Sequence, residues 1–197
     1  MAPPPSSDVI LHDDLVRLLA EIDAAEADAR MLLSGLSYEQ ANWQPNGGRG
    51  WSIVQCLDHL AKINTLYVEH FLPMVQRAAQ EDRGPFQGLN PSWFGRMFVK
   101  SLEPPPKQKT KAPSSVQPAS SMEPADALAK YLKSHDAYRD MVTLAGRVNV
   151  DSLGGANPFF SAVRVRLATA LMVPPAHDRR HLWQARQVMS APGFPKN

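Results

Sequence analysis

A chain of 197 residues with 44% hydrophobic and 20% charged side chains has the composition of one globular domain, long enough to bury a core without disulfides or a structural metal. Its 21 basic and 19 acidic residues leave a net charge of +2, which supplies no basic footprint for nucleic acid. The single cysteine, Cys56, excludes an internal disulfide and any thiolate-rich zinc site.

Met1 to Ser7 is rich in Pro and Ser and lacks the apolar core of a secretory signal. No run of about 18 apolar residues offers a membrane span, so the expected compartment is the cytoplasm. Residues 1–7 read as a disordered terminus, 8–190 as one helical domain and 191–197 as a C-terminal tail. The first helix is expected over residues 8–33, with Asp8 as its N-cap. Leu11, Leu15, Leu18, Ile22, Ala25, Ala29 and Leu32 fall at alternating steps of four and three, which makes one apolar stripe. A stripe of that length needs a partner of similar length, and a bundle supplies one.

Ser34, Gly35, Pro45, Asn46, Gly47, Gly48 and Gly50 break the pattern with turn chemistry. Trp43 and Trp51, at the two ends of that loop, are expected to pin it to the bundle. Residues 52–80 read as a second helix capped by Ser52. Ile53, Leu57, Leu60, Tyr67 and Phe71 form one row, and Cys56, His59, Ile63, Leu66 and His70 run beside it. Pro73 is expected to bend this helix or start its last turn.

Between residues 82 and 124 eight prolines rule out a long helix. Asn90-Pro91 can start a short one through Trp93, Phe94, Met97 and Phe98. Beyond it, Lys107, Lys109 and Lys111 among Pro and Ser read as a solvated, mobile linker. A connection this long carries function or disorder. A third long helix is expected over 123–149, with Leu128, Leu132, His135, Tyr138, Val142 and Ala145 near one face. A Gly/Asn/Pro break follows at 150–160, then a fourth helical stretch over 161–189, interrupted or kinked at Pro174-Pro175. No segment alternates with period two for long enough to make a strand. The expected fold is therefore all-α: a four-helix bundle with a long Pro-rich connection between the second and third long helices.

The chemistry lies in the six histidines. His177 and His181 are four residues apart, which stacks two imidazoles on one helix face. Such a pair can hold one metal ion if a third ligand comes from another helix, although the spacing alone also suits surface or capping histidines. The glutamate of a zincin motif is absent, since Asp178, Arg179 and Arg180 stand between them. His59, among Cys56, Ile63 and Leu66, reads by itself as a buried, hydrogen-bonded histidine. His135, beside Tyr138, reads the same way, with a fourth ligand or a supporting partner as the alternative. His12 and His70 read as surface residues. Cys56 reads as a buried, inert thiol rather than a ligand or nucleophile.

Three segments carry a resemblance. Trp51-Ser52-Ile53-Val54-Gln55-Cys56-Leu57-Asp58-His59-Leu60 resembles the start of the second helix in DinB/YfiT-like proteins, whose WS…HL segment carries a first metal histidine. His177-Asp178-Arg179-Arg180-His181-Leu182-Trp183-Gln184 resembles the HxxxHxxQ segment of that family's last helix, which carries two more. Leu36 to Pro45 resembles the loop after the family's first helix. The resemblance covers roughly residues 8–189 and is weakest in the Pro-rich segment.

It implies a four-helix bundle, a three-histidine site of His59, His177 and His181 for a divalent ion, Ni or Zn foremost, and a homodimer. It also implies an activity from a mixed family: metal-dependent transferases that use low-molecular-weight thiols, beside proteins described as metal-dependent hydrolases. Three protein ligands leave a coordination position open, the pattern of a catalytic site. That position can activate a water or hold a thiol as thiolate. The expected function is thus addition of a small thiol to a small electrophile, with hydrolysis or a non-catalytic metal- or ligand-binding module as alternatives. The expected partner is a small-molecule substrate, with no nucleic acid and no membrane. Asp58 and Asp178 adjoin ligands in sequence, but neighbouring helix side chains diverge by about 100°, so neither reads as a catalytic base.

Overall fold

The computed structural model describes residues 11–107 and 111–196. In chain order the helices are α1 (Asp13–Leu33), α2 (Tyr38–Asn42), the single turn α3 (Pro45–Gly48), α4 (Ile53–Gln80), α5 (Trp93–Leu102), α6 (Pro124–Ala145) and α7 (Leu167–Met189). A two-stranded antiparallel hairpin, β1 (Gly154–Ala156) with β2 (Arg164–Arg166), precedes α7. The expected disordered terminus 1–7, the cap Asp8, Lys109 and the last residue of the expected tail lie outside the described residues.

The apolar stripe of α1 is buried from Leu15 to Leu32 as its spacing predicts. The helix begins later than the spacing suggests, because His12 serves as its N-cap: the imidazole Nδ1 accepts the Asp14 backbone N–H at 3.2 Å. The cap of α4 is the expected Ser52. Its hydroxyl accepts the Gln55 N–H at 3.3 Å, and Gln55 Oε1 accepts the Ser52 N–H at 3.0 Å, a reciprocal capping box. α4 has 28 residues, about 42 Å of helix at 1.5 Å per residue. It packs against both α6 and α7, and α1 packs against the same two. α1 therefore faces α4 across a diagonal, and α6 faces α7 across the other. This position explains why both apolar rows of α4 are buried over its first half.

Each diagonal pair must be joined across an end of the bundle. Residues 34–52 make one crossing, with α2 closed by a Ser37/Gln40 capping box and Trp43 packed edge-on against Phe194. The second crossing contains the hairpin. The sequence reading expects no strand here, since three-residue strands are too short to show an alternation. A Cβ on Gly154 would stand 2.8 Å from the Val165 carbonyl, so this pairing requires glycine at that position.

Beyond the lysines, the later part of the long connection is docked rather than solvated. Val116 is 1% exposed, Lys62 Nζ donates to the Gln117 carbonyl at 2.8 Å, and the Asp58 carboxylate accepts the Ala119 N–H at 2.9 Å. Residues 113–120 thus lie strapped along α4, while Lys107 and Lys111 stay exposed.

α7 is one continuous helix through Pro174 and Pro175, where an interruption or a kink is expected; there is no interruption. A proline has no N–H to give the carbonyl four residues back; Pro175 thereby frees the Leu171 carbonyl, and the buried Tyr138 hydroxyl donates to it. The lost backbone bond is replaced by a bond between helices. Among the described residues no helix is long and apolar enough to cross a membrane.

Tyr138→Phe leaves the Leu171 carbonyl buried and unpaired, and its expected cost in a urea melt is about 1–3 kcal/mol. In a Pro175→Ala background the alanine N–H can take that carbonyl, so the same substitution is expected to cost less than half as much. Equal costs in the two backgrounds would refute this account.

Candidate metal centre

His59 comes from the seventh position of α4, His177 and His181 from successive turns of α7, and the packing of these two helices brings the three rings together. One ring nitrogen from each lies within 4.8 Å of the others, and His59 Nε2 stands 3.1 Å from His177 Nε2. His59 is 2% exposed and His181 7%; His177 is partly buried.

Hydrogen bonds fix which nitrogen two of the rings present. His59 Nδ1 lies 2.7 Å from the Val116 carbonyl, which can only accept, so the proton sits on Nδ1 and the Nε2 lone pair is free. His181 Nδ1 lies 3.0 Å from Gln184 Oε1, which leaves its Nε2 free in the same way. His177 Nδ1 is buried without a partner among the described residues. Lone pairs converging at 3.1 Å repel unless a proton or a cation lies between them. With metal–nitrogen bonds of about 2.0–2.1 Å, nitrogens of a tetrahedral zinc site stand about 3.3 Å apart. The residues present therefore fit a divalent ion. Backbone and amide partners on the far nitrogens are the usual outer support of such ligands.

The electrostatics agree with neutral imidazoles. Burial holds His59 below its ordinary value, although the Val116 carbonyl opposes the shift. Burial, then the neighbouring His59 and Arg180, pushes His177 down to about 3. Burial, with His177, His59 and Arg180 adding to it, sets His181 well below the ordinary range. Arg180, whose guanidinium donates to the Ser101 carbonyl at 3.2 Å, is the cation common to all three. Trp51 stacks on His181 with centroids 5.5 Å apart and leans on His59 at 4.7 Å. It thus covers the cluster rather than merely pinning the loop.

The other candidates fall elsewhere. His135 is not in the cluster: its Nε2 lies 3.0 Å from Asp178 Oδ2 and its Nδ1 3.3 Å from Glu26 Oε1. Asp178, fully buried, spends its other oxygen on Asn64 Nδ2 at 3.4 Å. Asp58 pairs with Lys62 at 2.8 Å. Neither carboxylate is available as a base at the histidines. Cys56 is fully buried, and burial pushes its thiol up to about 12, which makes it inert at neutral pH. His70 Nε2 donates to the Ala156 carbonyl at the sheet end at 2.8 Å, and His70 is exposed as expected, like His12. Sequence reasoning did not assign Val116, which lies in the segment least like the family, or the roles of Trp51 and Gln184. Gln184 did carry a signal, since it sits one turn after His181 on the same face.

These shifts predict an acid dependence in the metal-free protein. Each imidazole is harder to protonate folded than unfolded, so the unfolded chain takes up protons the native chain refuses. The associated stability is complete above the ordinary value of 6.5 and is lost as pH falls towards about 3. Thermal melts between pH 7.5 and 4.5 should show a falling midpoint, and His177→Gln should flatten that slope. An unchanged slope in the variant would contradict the burial of a neutral ring.

The comparisons with known proteins agree with the helical fold. The chain is similar in structure to YfiT from Bacillus subtilis, described as "a probable metal-dependent hydrolase with an unusual four-helix bundle topology". The TM-score is 0.55 and the identity 14%, over 96% of this chain and 92% of that one. Among curated proteins no match is found. The profile of the DinB superfamily matches residues 21–185, a span that takes in all of α4 and α6, most of α1 and α7 and all three histidines, and the chain belongs to that superfamily.

Proposed function

We propose that His59, His177 and His181 hold one divalent ion, Ni or Zn, and that the protein adds a low-molecular-weight thiol to a small electrophile. The observation that carries this reading is the convergence of three imidazoles within 4.8 Å, two of them fixed to present Nε2. A divalent ion with three such ligands keeps a position open and makes a thiol or water bound there more acidic.

The chain's own residues do the rest. The Val116 carbonyl and Gln184 hold the protons on Nδ1, and Trp51 keeps water from the ring faces. Arg180 adds positive charge beside the cluster. Asp58 and Asp178 are engaged elsewhere, so the substrate must give up its proton without a carboxylate base. That favours a thiol, which the ion would need to acidify far less than water, since the free values are about 8.5 and about 15.7.

The second reading is hydrolysis, favoured by the description of YfiT; a binding module without turnover is the third. The reading includes a homodimer, checked by light scattering at micromolar concentration. It also places the protein in the cytoplasm, where thiol co-substrates and a reduced Cys56 coexist.

Metal content per chain, measured on protein purified without chelator or affinity nickel, tests the site. His59→Ala, His177→Ala and His181→Ala should each lose most of the metal, whereas His12→Ala and His70→Ala should retain it and His135→Ala, which removes only the partner of Asp178, should lose much less than the first three. Full occupancy in any of the first three would show a wrong ligand set. On the loaded protein, turnover of an electrophile panel should require a thiol. Ester or amide cleavage without one would favour hydrolysis, and activity that survives complete metal removal would refute both.

A further inference from the structure

A groove of about 620 Å³ lies between α5 and the hairpin, towards the other end of α7 from the histidines. Thr169 on its floor precedes His177 by eight residues, about 12 Å along the helix. Gly95 lets α5 seat directly on Thr169, since a Cβ there would meet its hydroxyl oxygen at 2.2 Å. Docked by Gly95 and Val99, α5 turns its aromatic residues outward. Phe94 is 78% and Phe98 40% exposed on one wall, and Phe160 is 66% and Val163 54% exposed on the facing wall. Large apolar side chains left in water around a concavity, rather than scattered over a surface, mark a binding site.

The groove is also lined by cations. Arg164 and Arg166 line it. Arg164 also donates to the Gly154 carbonyl at 3.0 Å, and Arg166, the N-cap residue of α7, makes no side-chain cap bond there. Thr169 is 3% exposed, lines the groove, and its hydroxyl has no hydrogen-bond partner among the described residues. The one carboxylate in the lining, Asp151, already accepts from the backbone N–H and side-chain amide of Asn90 at 3.1 and 2.8 Å. A second copy of the chain set on this face would bury Arg164 and Arg166 beside a carboxylate, Asp151, that is already committed to Asn90. An apolar molecule with a single anionic end complements both the walls and the charge.

We propose that this groove binds a carboxylate bearing an apolar chain. The chain lies between Phe94 and Phe98 on one side and Phe160 and Val163 on the other. The carboxylate meets Arg166, the Thr169 hydroxyl and the first turn of α7, where the helix dipole also favours an anion. The site is separate from the histidines and does not depend on the metal.

Titration calorimetry with dodecanoate below its micellar concentration, on the full chain, tests the proposal. One dodecanoate should bind per chain with micromolar affinity. Phe160→Ser should weaken it about tenfold or more, as expected for uncovering an aromatic wall, and Arg166→Glu by a similar factor. Both positions are exposed, so both variants should keep the wild-type circular dichroism. Dodecyltrimethylammonium, the same chain with a cationic head, should bind the wild type at least about tenfold more weakly, and Arg166→Glu should reverse that order. His177→Ala should bind dodecanoate as the wild type does. No saturable binding, or binding unchanged in Phe160→Ser and Arg166→Glu, would overturn the proposal. A dimer that Phe160→Ser converts to monomer would also overturn it, by placing a second copy on this face.

Discussion

The Asp178 carboxylate is fully buried in the middle of the bundle, and a buried charge left without partners costs several kcal/mol. Its partners come from other helices, His135 of α6 and Asn64 of α4, while His135 reaches on to Glu26 of α1. One residue from each of the four long helices thus joins a single polar network. That network sets the rotation of α7 about its axis. Successive helical side chains are about 100° apart, so once Asp178 is committed to His135, His177 and, one turn on, His181 are committed to the side where α4 carries His59. Any other rotation would strand the carboxylate. The candidate metal centre is therefore a consequence of how α7 must sit, and its three rings need no metal to find one another.

The same helix solves a second problem. Pro174 and Pro175 precede the histidine pair and remove two backbone donors, yet α7 stays continuous because Tyr138 takes over the Leu171 carbonyl. The tyrosine and His135 belong to neighbouring turns of α6, so α6 supports α7 on both sides of the prolines although the two helices lie across a diagonal. A position in α7 that looks like a break in the sequence is a point of attachment in the fold.

The four long helices and their core rows were legible because burial repeats every three or four residues, as Leu15, Leu18, Ile22 and Ala25 show on α1. Ser52 was legible because a capping box has a fixed spacing. The three histidines were legible through family resemblance more than through chemistry, since His59 alone looks like any satisfied core histidine. The hairpin was hidden because six paired residues carry no measurable alternation. The strap at Val116 was hidden because a backbone carbonyl has no sequence signature, and proline-rich composition argues for solvation rather than docking. The start of α1 was misread because a histidine, here His12, is an uncommon N-cap.

X-ray absorption at the metal edge of protein loaded with one equivalent of zinc tests the central claim most directly. The account predicts about three imidazole nitrogens at about 2.0–2.1 Å, a light-atom ligand in the remaining position and no sulfur. A sulfur at about 2.3 Å in the absence of added thiol would bring Cys56 out of the core and contradict the account. So would a shell of carboxylate oxygens with one imidazole, which would place the ion away from His59, His177 and His181.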